Sequence, residues 1–540
     1  MKKLYVATAA LLASTAIVSM PALAADKTDS TTKQIQMLKD QLRAMQQQLE
    51  ALQSSNASTQ DAVAKETAAR QAADKAAKDA ALAAGGHLVF ADGQSKIVPP
   101  ANPKVTESAT HRFTLSSADG NWTIAPTGRV HLDLGGYLSY SAKNPTLGPI
   151  NNTTQSLSSG FNARRARLGV TGKAMGDFTY SLILDAGSSQ DSGTNLPGVP
   201  ASGSQPVIPG ATSIQQAQIG YTGIKNTIIE LGYSDTFFTL DEATSSNDIM
   251  FMERASPSNI ATAFNGGDNR SNVGFRTWGE NYWIGAYFTG PTIGDSHTTV
   301  GERVGAFQRV TFNPIQEGTT SVHIGAAIDE LIKAPNTGAG TARSISLSDR
   351  PELRIDPTNF LNSGALGTVA SPVTGGQVYN IESAAALGNF FYQGEYFHET
   401  VQRLGRTSAS FDGGYAEVSY TFGGHRTYVA NAGAYSGVNP ITPFSVKNGG
   451  MGAFEIAARV SYQDLVDQFL TNTAAAQPNA VNGGRQTNYD FGVNWYLNSN
   501  MRFMVNYIHS NFAKKNASAA GAVNIGASMD AIAGRFQFVF

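Results

Sequence analysis

The chain has 540 residues, no cysteine and a formal charge of −2, with 39 basic against 41 acidic side chains. So small a balance gives no reason to invoke nucleic acid, and the lack of cysteine excludes thiol chemistry and a disulfide scaffold. The helical periodicity that a large α/β enzyme shows between its strands is mostly missing, while glycine is abundant at 55 residues.

Residues 1–24 read as a secretion signal peptide. Lys2 and Lys3 form a positive start, residues 4–18 an apolar stretch, and Ala22-Leu23-Ala24 a small-residue cleavage site. The apolar run is shorter than the about 20 residues a spanning helix wants, which disfavours a retained anchor. Losing two lysines with the signal takes the charge from −2 to −4. No later stretch is long and apolar enough to span a bilayer as a helix. Residence in a membrane therefore requires a closed barrel, the other fold that satisfies every backbone group in lipid.

Within residues 25–55, apolar side chains fall at Ile35, Leu38, Leu42, Met45, Leu49 and Leu52. This three-four spacing predicts a short α-helical coiled coil that associates with copies of itself. A lone amphipathic helix is the simpler alternative. Residues 56–111 read as a linker: an Ala-, Lys- and Gln-rich solvated helix, then the helix-breaking run Ile97-Val98-Pro99-Pro100-Ala101-Asn102-Pro103.

From residue 112 to 540 the pattern has period two. Arg129-Val130-His131-Leu132-Asp133-Leu134 alternates, as do residues 454–462, 489–497 and 501–507. A soluble sandwich alternates as well. Three features favour a transmembrane barrel. Tyr462, Tyr489, Trp495 and Tyr507 fall near strand ends on the apolar face, as an interfacial girdle requires. Short turns alternate with long polar loops, such as residues 187–212 and 334–376. The last strand puts Ile532, Phe536, Phe538 and Phe540 on one face, and a terminal aromatic such as Phe540 is the usual address for the barrel-assembly machinery. The fold class expected is all-β, a transmembrane antiparallel β-barrel preceded by the coiled coil.

Several segments resemble the phosphate-selective porin O and P family. They are Gly128-Arg129-Val130-His131-Leu132-Asp133, residues 160–170 around Ala163-Arg164-Arg165-Ala166-Arg167, and Glu242-Ala243-Thr244-Ser245-Ser246 with Phe251-Met252-Glu253-Arg254. Residues 452–459 and 494–498 match the family's C-terminal half. The resemblance implies about 16 strands, a homotrimer in the outer membrane of a Gram-negative bacterium, and passive passage of small inorganic anions such as phosphate. A coiled coil projecting into the periplasm, common among relatives, would be placed to contact peptidoglycan. The resemblance also assigns Arg129, Arg164 and Arg165 to the pore constriction.

Strand parity turns Arg129, Arg165 and Arg167 inward, together with Arg459, Arg502 and Arg535 as secondary lumen candidates. Arg164 has the wrong parity; the resemblance favours a bulge that turns it inward over a place in a loop above the bilayer. Arginine stays charged and offers a planar fork of donors to an anion that has shed water. Its structural alternative is bracing against inward acids such as Asp133, Glu417, Glu455 and Asp490. The pore role is expected for Arg129 and Arg165, and bracing for Arg459, Arg502 and Arg535. Phosphate-binding relatives carry a lysine after the Ser-Ser pair; this chain has Asn247 and then Asp248, a change that weakens phosphate capture.

No catalytic motif, metal-ligand spacing or cofactor fingerprint is found, so neither an enzyme nor a bound metal is expected. The rival functions are a general porin with weak charge preference and a structural envelope-tethering barrel that only anchors the coiled coil.

Overall fold

The computed structural model describes residues 29–83, 87–91, 94–98, 103–107, 113–142, 157–187, 212–291, 301–336, 341–470, 476–516 and 523–540. The expected signal peptide, residues 1–24, lies outside the described residues, as does most of the loop 187–212. The chain divides into two units, Met1–Pro100 and Ala101–Phe540.

In the first unit a single helix, α1 (Asp29–Ala83), runs well past residue 55. Its second half has no apolar seam, but Ala, Lys, Gln and Glu are strong helix formers and sustain it. Ile35, Leu38, Leu42, Met45, Leu49 and Leu52 are all exposed in the isolated chain. A hairpin of β1 (His87–Ala91) and β2 (Gln94–Val98) follows. The stretch expected to be a linker is thus largely ordered into helix and hairpin.

The second unit starts with a small hairpin, β3 (Lys104–Glu107) and β4 (Phe113–Ser116). The barrel strands are β5 (Thr123–Ala142), β6 (Gly160–Ala174), β7 (Phe178–Asp185), β8 (Ser213–Tyr221), β9 (Thr227–Asp235), β10 (Asn269–Trp278), β11 (Tyr282–Thr289) and β12 (Val304–Glu317). They continue as β13 (Thr320–Lys333), β14 (Val373–Leu387), β15 (Phe390–Arg403), β16 (Ala409–Phe422), β17 (Ala453–Asp467), β18 (Val481–Tyr496), β19 (Met501–Ala513) and β20 (Ala527–Val539). One sheet joins 18 strands, of which β3 and β4 merely hang from β5; the other 16 close when β20 pairs antiparallel with β5. The closing register places Arg535 opposite Asp133 and Val539 opposite Arg129.

Alternation puts the apolar set outside. Leu132, Leu168, Leu231, Val310, Ile381, Val460, Phe491 and Val505 all face outward and are exposed. That is the inverse of a soluble core and the signature of a lipid-facing wall. An aromatic row, Phe422–Phe454–Trp495–Phe503–Phe536, crosses five neighbouring strands in register. On β17, Asp464 lies ten residues beyond Phe454 and is the first outward charge. Ten residues span about 33 Å, which at a strand tilt near 40° is a rise of about 25 Å, the height of an outer-membrane apolar band.

Connections alternate between short and long. The turns 318–319 and 388–389 each begin on a glycine with φ of 59° and 64°, which suits two-residue hairpins. Short turns mark the periplasmic side. The exception there is the segment 423–452, which leaves β16 and returns to β17 after folding back into the barrel. Its Asn431 and Gly433 carbonyls accept bonds from inward Trp283 and Arg309, at 3.1 and 2.7 Å.

Candidate functional site

Between β9 and β10 the chain does not pass over the rim. Residues 236–268 drop into the lumen and are nearly all buried, forming two helices, α2 (Leu240–Ala243) and α3 (Ser256–Phe264). Thr239 caps α2 by accepting from the Glu242 amide, and Glu395 on β15 accepts from the Leu240 and Asp241 amides at 2.9 Å each. Pro257 opens α3, whose free Ser256 amide is met by Glu352 at 2.8 Å. Ile260, Ala261 and Phe264 then bury against Val378, Phe397, Val401 and Phe411 of the wall.

The stretch leading into α3 is gripped by its main chain. Gln537 donates to the Asn247 carbonyl at 3.0 Å, Arg426 to Asp248 at 2.6 Å, Arg502 to Ile249 at 2.9 Å and Asn494 to Met250 at 2.8 Å. Arg535 donates to the Met252 carbonyl, and Arg459 to Glu253 at 3.0 Å. Side chains from β17 to β20, with Arg426 from the segment 423–452, thus hold a nearly continuous run of carbonyls. Each would be a costly orphan inside a barrel without such a donor.

The same arginines also meet carboxylates. Arg535 pairs with Asp133 at 2.6 Å and Glu253 at 2.7 Å. Arg459 pairs with Asp490 at 2.6 Å and Glu352 at 2.5 Å, with Glu417 at 3.7 Å. Glu455 binds Arg426 at 2.8 Å. Arg167 pairs with Asp185 on the next strand at 2.7 Å. Arg502 differs from the bracing expectation: it meets no carboxylate among the described residues. Its cross-strand neighbours are Tyr496 and Gln537, so neutral oxygens and the loop carbonyl take its two Nη groups.

Arg164 does turn inward, and by a bulge. The β5–β6 register runs from His131↔Arg165 to Leu132↔Ala163, leaving Arg164 as the extra residue. Both Arg164 and Arg165 are therefore buried, at 1% and 3% exposure. Arg164 is bound to Glu253 by two 2.8 Å bonds. Arg165 lies 3.4 Å from His131 Nδ1, and His131 Nε2 lies 3.1 Å from Asn247 Oδ1. A neutral imidazole accepting from Arg165 and donating to Asn247 satisfies both contacts.

Arg129 stands apart. It is only partly buried, donates to Ser246 Oγ at 2.6 Å, and forms no ion pair with any described carboxylate. Its strand adjoins a wall, β6 to β9, on which some inward residues keep access to water. There Thr171, Ser181, Gln218 and Gly232 form one cross-strand row on β6 to β9, none of them fully buried. Partly exposed Ser245, Asn247 and Asp248 lie on the inserted loop. On β14 to β20, by contrast, inward positions are covered by the inserted segments.

Sequence reasoning found the inward arginines and the wall acids Asp133, Glu417 and Asp490 that meet two of them, but not the loop groups they also bind. The loop 236–268 carried a signal, its motif resemblance, that did not show it entering the lumen. Arg426, Glu352 and Glu253 had no strand parity to betray them. No group of three or more metal-ligating side chains occurs among the described residues.

A closed barrel with a lipid-facing exterior and a charged lumen narrowed by an inserted loop is the architecture of an outer-membrane channel. The chain belongs to the phosphate-selective porin O and P family, whose sequence profile matches residues 134–540. It is 23% identical over 362 residues to Porin O of Pseudomonas aeruginosa, covering 64% of this chain and 75% of that one. An uncharacterised protein of Caulobacter vibrioides is 25% identical over 520 residues, covering 93% and 88%. Among solved structures, the anion-selective porin from Comamonas acidovorans aligns with 78% of this chain and 100% of its own, at 12% identity and a TM-score of 0.40. The trimer form of Vibrio cholerae OmpT aligns with 78% and 99%, at 10% identity and a TM-score of 0.43.

Proposed function

We propose that this porin passes small inorganic anions by diffusion, with Arg129 as the residue that meets them. The observation that carries the reading is the company each arginine keeps. Arg164, Arg459 and Arg535 are neutralised by carboxylates or occupied by loop carbonyls, whereas Arg129 is bound by a hydroxyl, forms no ion pair with a described carboxylate and is only partly buried. A fixed guanidinium there replaces part of the hydration an anion sheds in a narrow passage. Because Ser246 Oγ accepts from Arg129, its own proton is left to donate to the same anion. Arg165 supports this from behind through His131 and Asn247.

Phosphate is the anion that the family's description brings forward. Asn247 and Asp248 act against tight phosphate capture, and the many lumen carboxylates support a second reading, a general porin of weak charge preference. Assembly as a homotrimer, with α1 seams packed together, belongs to the same proposal. Single-channel recording across a salt gradient tests the charge preference: the reversal potential is expected to favour anions, and one favouring cations ends the reading. Phosphate block of the chloride current measures any phosphate site.

A further inference from the structure

Two segments that enter the lumen from opposite ends of the barrel meet at Asp248. It is the one acid between Glu242 and Glu253 in the inserted loop. Its amide donates to the Ser245 carbonyl at 2.7 Å, which closes a tight turn. The carboxylate therefore stands one turn away from Ser246, the residue that Arg129 bonds. Yet Asp248 forms no ion pair with Arg129 or with any other cation among the described residues; Arg426 meets its main-chain oxygen instead.

The segment 423–452, coming from the periplasmic side, holds Asp248 at two points. Arg426 Nη1 donates to the Asp248 carbonyl at 2.6 Å and to the Ser436 carbonyl at 3.3 Å, so one guanidinium ties loop to segment. Its charge is taken by Glu455, through Nε at 2.8 Å and Nη2 at 2.9 Å. Beside it Gly437 lies against the Asp248 side chain. A Cβ on Gly437 would come 2.6 Å from Asp248 Oδ1 and 3.3 Å from both Cα and Cγ, too close to fit. The φ of Gly437 is not in the left-handed region, so its backbone does not require glycine. What the glycine supplies is room, and the carboxylate occupies it.

We propose that Gly437 is a positioning residue for charge selectivity, its missing side chain lodging the Asp248 carboxylate away from Arg129, a role that rests on Arg129 being the anion contact. At ion-pair distance a carboxylate would cancel that guanidinium, as Asp133 and Glu253 do for Arg535. Held in the niche, it leaves Arg129 to the Ser246 hydroxyl and to passing anions. A periplasmic segment thereby sets the charge that the constriction presents.

The test is the reversal potential of the full-length porin in planar bilayers under a salt gradient. Gly437→Ala should lower anion-over-cation permeability about threefold, the worth of a weak ion pair. In the Asp248→Asn background the same change should have no effect. Asparagine has the shape of aspartate, so any disturbance of packing is equal in the two backgrounds and only the charge differs. Asp248→Glu leaves the glycine intact but is one methylene too long for the niche; it too should lower the ratio, and it decides the matter if Gly437→Ala does not fold. An equal loss from Gly437→Ala in both backgrounds, or a ratio unmoved by Asp248→Glu, overturns the role. Arg129→Ala separates this role from the reading beneath it. If that variant leaves the ratio unchanged, Arg129 is not the anion contact; if it lowers the ratio and Gly437→Ala does not, the niche alone is lost.

Discussion

Arg164 and Glu253 form a two-point ion pair in which Nε and Nη2 each lie 2.8 Å from one carboxylate oxygen, with both residues out of contact with water. The pair ties a bulged residue of the wall to the loop that fills the lumen.

Breaking one side of that pair leaves a buried charge without its partner, at a cost of about 3–5 kcal/mol. Glu253→Gln takes the carboxylate from Arg164 and one of two carboxylates from Arg535, which keeps Asp133, and is expected to be worse than Arg164→Met, which leaves Glu253 to Arg535. Loss of heat-resistant mobility on gel electrophoresis, followed over temperature, measures the order. The opposite order would show that the loop is held mainly from β6.

Arg129→Ala removes a guanidinium that forms no ion pair with a described carboxylate. Anion-over-cation permeability should fall several-fold, while thermal stability changes by less than about 1 kcal/mol. Reversal potentials in a salt gradient read the first and unfolding curves the second. An unchanged reversal potential removes Arg129 from the permeation path.

Asn247→Lys puts a cation next to Arg129 and His131, at the position where phosphate-binding relatives carry lysine. Inorganic phosphate should then block chloride current at concentrations at least about tenfold lower than in the wild type, one more nearby charge being worth about 1–2 kcal/mol in a confined, partly desolvated site. Block of equal strength before and after the change would place phosphate binding elsewhere.

The exposed seam of α1 predicts association through the helix. Leu42→Asp with Leu49→Asp puts charge at two apolar positions and should lower the yield of cross-linked oligomers and their melting temperature. Conductance of each barrel should persist. Oligomers of unaltered stability would mean that α1 plays no part in assembly.

The barrel was legible because lipid imposes the period of two on every strand; Arg129, Arg165, Arg167, Arg459, Arg502 and Arg535 all point where parity sends them. Arg164 shows the limit of that rule, since one extra residue in β6 turns two consecutive side chains inward. What the inward arginines touch was legible only for the wall: Asp133 and Asp490, named from parity as bracing acids, meet Arg535 and Arg459, but the loop partners left no sign. Arg459 ends on Glu352, more than a hundred residues earlier in the chain, and Arg502 on the Ile249 carbonyl, contacts that exist only once loops have folded into the lumen. The segment 423–452 carries no sequence pattern that marks it for the lumen, for the same reason. Its burial comes from Trp283, Arg309 and Ser321 on distant strands, not from any pattern of its own.

The arginines and amides that fasten residues 247–253 hold peptide oxygens, which every amino acid supplies alike. Evolution can therefore exchange Asn247 and Asp248, at the open end of this ribbon, without redesigning the fastening, whereas Glu253 at its other end is tied by its side chain. A chain built this way can drift from one solute to another by point changes in a single short tract, while its architecture stays as it was.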